Sequence, residues 1–408
     1  MSAKLVRPGP LRVLGLAAVA VSALSVSVIV GGGIVAAVMA RTVVTPPRRQ
    51  NEDIRVLAYD PDAARLTLEA TPESLLVGRY GLWFSGDSGH ARLGPIVARN
   101  GRTVTRVVEA VDFGDLARAT AGRWSGWVYL GPWTLGVAYE NVLIPADEGS
   151  APAWLIPPEG EAPGADWVIQ VHGRGVRRQE TLRAVTVFRE AGYTSLLVSY
   201  RNDGDAPPSA DGRYGLGDTE WRDVEAALEF ARDHGARRVV LMGWSMGGAI
   251  VLQTLLRARH RELISGIVLE SPAVDWADIV AFQGQLLRLP TVIARCAMRV
   301  MGHRWGRAVT GQATPIAFAR LDVVAQSAGL DVPILLMHSD DDGYVPSTGS
   351  RALAAARPDI VTFVPFVEAR HTKLWNHDPE PWNDAIASWL TRLGGSGLTD
   401  ARQADDAT

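Results

Sequence analysis

The 408-residue sequence is poor in cysteine and lysine, with one cysteine and two lysines. The single cysteine, Cys296, excludes an internal disulfide and says nothing about the redox compartment. The scarcity of lysine beside abundant alanine, valine and glycine reflects a GC-rich gene and has no bearing on the fold. The net charge of −3 and the lack of a basic stripe give no support to a nucleic-acid partner. No internal repeat is evident, so a propeller or solenoid is not expected.

Charge is also absent from a long N-terminal stretch between Arg12 and Arg41, where valine, alanine, leucine and isoleucine dominate. A helix over 13–40 would be about 42 Å long, more than the roughly 30 Å core of a bilayer. We therefore predict a short tail (1–12), a transmembrane helix (13–40) and an extended linker (41–53). The rest is expected outside the cytoplasm, although basic residues on both sides leave the orientation open. The alternative is a signal peptide cleaved after Val38-Met39-Ala40.

The remainder of the chain divides by pattern. From 54 to 145, short β-prone runs alternate with glycine and proline turns, which predicts a small β-rich accessory region. It would shape a substrate entrance, brace the protein at the membrane, or simply add a packing layer. From 146 to 393, buried strand patterns alternate with helical ones, which predicts a mostly parallel, doubly wound α/β sheet. The polar tail over 394–408 is predicted to be disordered.

One motif stands between a predicted strand and a predicted helix. Gly243-Trp244-Ser245-Met246-Gly247 follows the apolar run 239–242 and precedes the apolar run 248–252. In this context G-x-S-x-G indicates a nucleophile elbow. The flanking glycines leave room where a Cβ would clash, and the helix that begins at the serine points free N–H groups at a developing oxyanion. Ser245 is therefore the candidate nucleophile.

A serine nucleophile needs a base and an orienting acid. The buried strand pattern 332–337 leads into three aspartates that end at Asp342, and a second pattern, 360–364, leads to His371. Parallel strands end at the ligand-binding edge of an α/β sheet, so we expect Ser245, Asp342 and His371 to meet there. His172 and His338 are expected to organise loops by hydrogen bonding. The alternatives are Asp340, Asp341 or Asp275 as the acid and His377 as the base.

These motifs resemble the α/β-hydrolase superfamily, from about residue 141 to residue 393. Asp342 matches the acid of the frequent pattern H-G-x-x-D-x-x-V-P, although Ser339 replaces its glycine. His172-Gly173-Arg174-Gly175 looks like the family's H-G-x-G oxyanion loop, which implies that the backbone N–H of Arg174 joins that of Met246 in the oxyanion hole. An insertion at about 272–330 resembles the family's cap, which covers the site and selects substrates. Finer details resemble membrane-anchored actinobacterial hydrolases related to the prolyl-oligopeptidase group.

The resemblance implies a serine hydrolase that needs neither a metal nor an organic cofactor. His371 would move the proton of Ser245, Asp342 would orient the imidazole, and the backbone donors would stabilise the tetrahedral intermediate. We expect a small acyl substrate, a carboxylic ester or thioester, because neither propeller repeats nor an acidic pair for a peptide N-terminus is recognisable. A peptide substrate, acyl transfer to an acceptor other than water, and a catalytically silent membrane-anchored binding module are the alternatives.

Overall fold

The computed structural model describes residues 31–47, 51–160 and 164–405, and the side chains only as far as residue 394. Residues 31–44 are helical and are called α1. The other helices are α2 (Val185–Glu190), α3 (Trp221–Asp233), α4 (Met246–Arg257), α5 (Trp276–Leu286), α6 (Thr291–Gly302), α7 (Arg307–Thr310), α8 (Phe318–Leu321), α9 (Thr348–Ala356), α10 (Leu374–His377) and α11 (Pro379–Asp405). The strands are β1 (Ile54–Asp60), β2 (Arg65–Glu69), β3 (Tyr80–Phe84), β4 (Gly89–Asn100), β5 (Thr103–Phe113), β6 (Ala121–Ser125), β7 (Glu140–Ala146), β8 (Gly149–Ile156), β9 (Asp166–Val171), β10 (Thr194–Val198), β11 (Arg238–Trp244), β12 (Ile264–Glu270), β13 (Ile334–Ser339) and β14 (Val361–Phe366).

The first six strands close into a barrel in the order β1-β2-β5-β4-β3-β6. Side chains alternate along β2, so that Leu66 and Leu68 point inward and join Leu82 in a hydrophobic core that belongs to the barrel. The accessory region is therefore a closed barrel that ends at Ser125. The predicted boundary at 145 is too late, because β7 pairs with β8 of the large sheet. Local β propensity does not reveal which sheet a strand joins.

The large sheet has eight strands in the order β14-β13-β12-β11-β9-β10-β8-β7. Its strands run parallel except β8, which is antiparallel to both neighbours. Strands of the sheet centre are buried on both faces and accordingly rich in valine, isoleucine and leucine. One face packs against α3, α4, α5, α6 and α9, and the other packs against α2 and α11. The carboxyl ends of β9, β11, β12, β13 and β14 therefore lie along one edge.

The first helix packs against this domain. Ala36 and Ala40, one helical turn apart, are 1% and 0% exposed and belong to the core that α3 to α6 share, together with Val44. Ile34 and Val38 face outward, at 59% and 60% exposure. Most of the predicted membrane span, 13–30, lies outside the described residues. Its last part is a docked helix, and none of the helices in the described part of the chain is both long and apolar enough to cross a membrane.

Two further expectations concern the C-terminal half. The insertion predicted as a cap is helical, with α5 to α8 between β12 and β13. The final helix continues to Asp405, so it includes most of the tail that was predicted to be disordered. Glycine lowers helix propensity by about 1 kcal/mol relative to alanine, but a helix that is already formed adds residues without a new nucleation step. The glycine-rich sequence after Leu393 therefore does not end α11.

Candidate active site

The nucleophile motif forms a strained turn between β11 and α4. Ser245 has φ 52° and ψ −117°, a conformation that L-residues rarely adopt. The two flanking glycines are required by close backbone approach. A Cβ at Gly243 would lie 2.5 Å from the carbonyl oxygen of Gly247, and a Cβ at Gly247 would lie 2.2 Å from that of Val171. The elbow consequently fits only because both positions lack a side chain.

The structure brings Ser245, His371 and Asp342 into one hydrogen-bonded row. Nε2 of His371 lies 2.8 Å from Oγ of Ser245, and Nδ1 of the same ring lies 2.7 Å from Oδ2 of Asp342. The row lies at the carboxyl edge of the sheet, because the three residues follow β11, β13 and β14. This is the arrangement in which a histidine can accept the serine proton while a carboxylate fixes its tautomer.

The carboxylate of Asp342 is held by several donors. Its Oδ1 accepts hydrogen bonds from the backbone N–H groups of Tyr344 and Val345 at 2.8 and 2.9 Å. Its Oδ2 also lies 3.2 Å from Nε2 of His338. Burial by itself would raise the pKa of Asp342, but the attraction to the His371 ring in its protonated form and the hydrogen bonds from His338 and His371 outweigh it and lower this pKa below the ordinary aspartate value. The side chain is therefore an ionised acceptor at neutral pH.

The predicted oxyanion loop, residues 172–175, lies over the nucleophile. A Cβ at Gly173 would be 3.3 Å from Cβ of Ser245. His172 is buried, stacks on Tyr200 with ring centroids 4.3 Å apart, and places Nε2 3.2 Å from Asp203. The Tyr200 hydroxyl donates to the carbonyl oxygen of Gly173 at 2.8 Å. His172 thus organises the loop through hydrogen bonds, as His338 does beside Asp342.

A buried ion pair that the sequence analysis missed connects this loop to the loop of His371. Glu180 accepts the backbone N–H of Gly173 at 3.0 Å and lies 3.3 Å from the hydroxyl of Thr372. Arg183 donates to the carbonyl oxygen of Thr372 at 2.7 Å and to Oδ1 of Asn376 at 2.5 Å. The available signal was a glutamate and an arginine three residues apart at the point where the apolar run 181–188 begins.

A second missed carboxylate lies beneath the elbow. Glu270, at the end of β12, accepts the indole N–H groups of Trp244 at 2.8 Å and Trp382 at 2.9 Å, and the backbone N–H of Leu374 at 3.1 Å. Complete burial raises its pKa above the ordinary glutamate value. Glu270 joins the nucleophile strand, the loop of His371 and α11, so it supports the site without contacting Ser245 Oγ.

The alternative acids and base have other partners. Asp275 caps α5 by accepting from the N–H groups of residues 277 and 278. Asp340 pairs with Arg351, and Asp341 pairs with Arg370. His377 ends the short helix α10, and His371 is the histidine hydrogen-bonded to Ser245. Within residues 31–47, 51–160 and 164–405, no group of three or more histidine, cysteine or acidic side chains is placed to hold a metal ion.

A cavity of about 520 Å³ opens beside His371. Its lining includes Arg123, Trp124 and Trp127, which come from the last barrel strand and the residues just after it, and also Tyr344. The residues 272–330 contribute nothing to this lining, although a cap was expected to cover the site. The region next to the base is therefore shaped by the barrel.

An eight-stranded sheet of this order, with an elbow after β11 and a histidine after β14, has the fold of the α/β hydrolases. Residues 166–385, more than half of the chain, match the Alpha/beta hydrolase family. The chain belongs to this family and is a hydrolase. Residues 55–125, the barrel, match a domain of unknown function.

Individual proteins are similar to parts of the chain. A monoacylglycerol lipase from Mycolicibacterium smegmatis is 30% identical over 145 residues, which cover 30% of this chain and about half (51%) of the lipase. An esterase from Pyrococcus furiosus is 18% identical, with a TM-score of 0.50 and coverage of 65% of this chain and 96% of the esterase. The esterase Est1E from Butyrivibrio proteoclasticus is 17% identical, with a TM-score of 0.47 and coverage of 62% and 99%. The Pyrococcus similarity supports the fold alone.

Proposed function

We propose that the protein hydrolyses a carboxylic ester or thioester through an acyl-enzyme intermediate on Ser245. The observation that carries the proposal is the hydrogen-bonded row of Ser245, His371 and Asp342 at the start of α4. His371 takes the proton of Ser245 as the hydroxyl attacks the acyl carbon, and then gives a proton to the leaving alcohol or thiol. Water, activated by the same histidine, releases the acid and restores the serine.

The tetrahedral intermediate carries a negative oxygen that needs fixed donors. Met246 is the first residue of α4, where backbone N–H groups lack intrahelical partners and the helix dipole favours an anion. The second donor in the proposal is the backbone N–H of Arg174, in the loop that passes over the serine. Loss of one such donor typically costs about 2.7–4 kcal/mol of transition-state stabilisation.

Esters are favoured over peptides by the relatives, which are named as a lipase and esterases. The cavity beside His371 is lined in part by the aromatic residues Trp124, Trp127 and Tyr344, which suit an apolar acyl or alcohol group. The relation to the prolyl-oligopeptidase group, and with it peptide cleavage, stays a prediction, which a comparison of ester and amide substrates tests.

The direct test is labelling of the full chain with a fluorophosphonate probe, beside hydrolysis of p-nitrophenyl esters of increasing chain length and of aminoacyl amides. We expect wild type to label and to cleave esters faster than amides, and Ser245→Ala to do neither. Ser88→Ala is the matched control, because Ser88 also lies in a glycine-flanked turn but is exposed on the barrel between β3 and β4. An unlabelled wild type, or a Ser245→Ala variant that labels normally, would refute the proposal.

Membrane attachment and an extracytoplasmic location remain part of the proposal through the apolar stretch 13–40. The outward side chains of Ile34 and Val38 extend that apolar character onto α1. Membrane fractionation of cells that express the full chain, followed by alkaline washing, tests the attachment. Recovery of the whole chain in the supernatant before washing would contradict it.

A further inference from the structure

The side chain of Arg174 leaves the oxyanion loop and binds the end of α1. Its Nε donates to the carbonyl oxygen of Val43 at 2.9 Å, and its Nη2 donates to those of Thr42 and Thr45 at 2.6 and 2.9 Å. These partners are more than a hundred residues away in the sequence. A single side chain therefore joins the loop over the nucleophile to the N-terminal segment, which we define as residues 31–47.

The chemistry of a helix end explains the choice of arginine. The last carbonyl groups of a helix have no intrahelical partners and carry the negative end of the helix dipole, so a guanidinium with several donors matches them. The remaining carbonyl of the turn, that of Val44, accepts the backbone N–H of Tyr214 at 2.9 Å. All four carbonyl groups from 42 to 45 are thus bound by donors of the hydrolase domain.

Packing reinforces these hydrogen bonds. A Cβ at Gly175, which has φ +71°, would lie 2.7 Å from Cγ of Pro47, so the loop and the N-terminal segment touch directly. The guanidinium of Arg174 also lies 5.5 Å from the centre of the Tyr214 ring, which adds a cation–π contact on the same side chain. The segment is consequently in contact with two consecutive residues of the oxyanion loop.

The peptide unit between Gly173 and Arg174 is held from both ends. Its carbonyl oxygen, on Gly173, accepts the Tyr200 hydroxyl at 2.8 Å and lies 2.9 Å from Nδ1 of His172. Its N–H belongs to Arg174, whose side chain is fixed on α1. Because a peptide unit is planar, restraint at both ends sets the direction of this N–H.

We propose that Arg174 is a positioning residue, which uses the carbonyl groups of 42–45 as an anchor to keep its own backbone N–H aimed at the oxyanion. This inference rests on the proposed hydrolase mechanism and makes the carbonyl groups of 42–45 a support of the oxyanion loop. Cleavage after Ala40, the alternative raised by the sequence, would remove the buried Ala36 and Ala40 and most of the helix that presents the anchor. The segment is therefore retained in the active enzyme.

The test compares three full-length variants by kcat and KM on a p-nitrophenyl ester and by the rate of fluorophosphonate labelling. Arg174→Met removes the three side-chain hydrogen bonds but keeps the backbone N–H. We expect kcat and the labelling rate to fall together by about 10- to 100-fold, with KM changed by no more than about twofold, because a displaced donor loses transition-state stabilisation. Arg174→Lys, which retains a charge, should recover part of the loss.

Arg41→Met is the matched control. Arg41 also anchors α1, but it donates to the carbonyl oxygen of Val309 on α7 and not to the oxyanion loop. It should leave kcat unchanged even if thermal stability falls. Unchanged kcat in Arg174→Met, or an equal loss in Arg41→Met, would overturn the inference. An unlabelled and inactive wild type would instead refute the proposed function, so the two failures are distinguishable.

Discussion

The barrel and the N-terminal segment are both additions to the hydrolase domain, and they are attached in opposite ways. The barrel has its own hydrophobic core, which includes Leu66, Leu82 and Phe84. The segment places Ala36 and Ala40 in the core of the hydrolase domain itself. This difference indicates that the barrel is more separable from the hydrolase domain, although it is larger, whereas the N-terminal segment is an integral part of that domain.

The two additions also contact different halves of the site. The barrel reaches α10, which follows the loop of His371. The side-chain amide of Asn376 donates to the carbonyl oxygens of Arg79 and Gly126 at 2.8 and 3.0 Å, and the backbone carbonyl oxygen of Asn376 accepts the N–H of Arg79. The N-terminal segment reaches the oxyanion loop through Arg174. In the proposed mechanism, proton transfer and oxyanion stabilisation are thus each supported by a separate part of the chain.

The largest expected effect tests whether catalysis depends on Asp342, which belongs to the hydrolase domain and to neither addition. Asp342→Asn should lower kcat on an ester by about 10⁴-fold, because the amide cannot hold the required histidine tautomer. Asp341→Asn is the control, since Asp341 pairs with Arg370 at the surface, and should change kcat less than about twofold. Similar losses in both variants would contradict the assignment of the acid.

The same position gives a pH dependence of stability. The pKa of Asp342 is lower in the folded protein than in the unfolded chain, so its contribution is present above the ordinary aspartate pKa of about 3.9 and is lost as the pH falls toward the folded value. Urea unfolding between pH 7 and pH 3 should show a steeper loss in wild type than in Asp342→Asn. Parallel curves would be inconsistent with the lowered pKa.

The next effect tests the separability of the barrel. Ala40→Asp buries an unpaired charge in the shared core and should destabilise the hydrolase domain by about 2–4 kcal/mol, whereas Val38→Asp, on the outward face, should cost little. Leu82→Ala should destabilise the barrel by about 2–5 kcal/mol. Calorimetry should show that Leu82→Ala lowers a separate transition. If Leu82→Ala instead lowers a single transition that the barrel and the hydrolase domain share, the barrel is not separable.

A smaller effect on kcat than that of Asp342→Asn is expected where the barrel meets the loop of His371. Asn376→Ala leaves Arg183 and two carbonyl groups without this partner, each at a cost of about 1–3 kcal/mol if it stays buried. We expect kcat to fall about tenfold through misplacement of His371. Asp384→Ala, exposed on α11, is the control. Full activity in Asn376→Ala would show that barrel docking and catalysis are independent.

The smallest effect concerns the ion pair between the same two regions. Lys373 lies 3.2 Å from Glu73 of the barrel, and both side chains are partly exposed. Lys373→Ala should therefore cost only about 0–1 kcal/mol, and less at high salt. Urea titration at two salt concentrations checks this value. A larger, salt-independent loss would mean that the barrel depends on this contact more than on Asn376.

The sequence predicted the parts of the site that local patterns encode. Ser245 and Asp342 each follow a buried strand, His371 follows the edge strand β14, and strands of one parallel sheet end at one edge. Glu180 and Asn376 were missed, because their roles depend on partners distant in the sequence. The docking of α1 was missed for a related reason: an apolar helix can pack against lipid or against protein, and hydrophobicity does not distinguish the two. The residue at which the barrel ends could not be predicted, because it depends on which sheet β7 joins.

The carboxylate of Glu270, which several donors share, restricts which substitutions evolution can accept at this position. Two indoles and one backbone amide rely on a single acceptor that water does not reach. Replacing it with an apolar residue would strand three donors at once, so a tolerated substitution demands simultaneous replacement of Trp244 and Trp382. We expect these three positions to vary together across homologues, as one inherited unit beneath a more freely evolving surface.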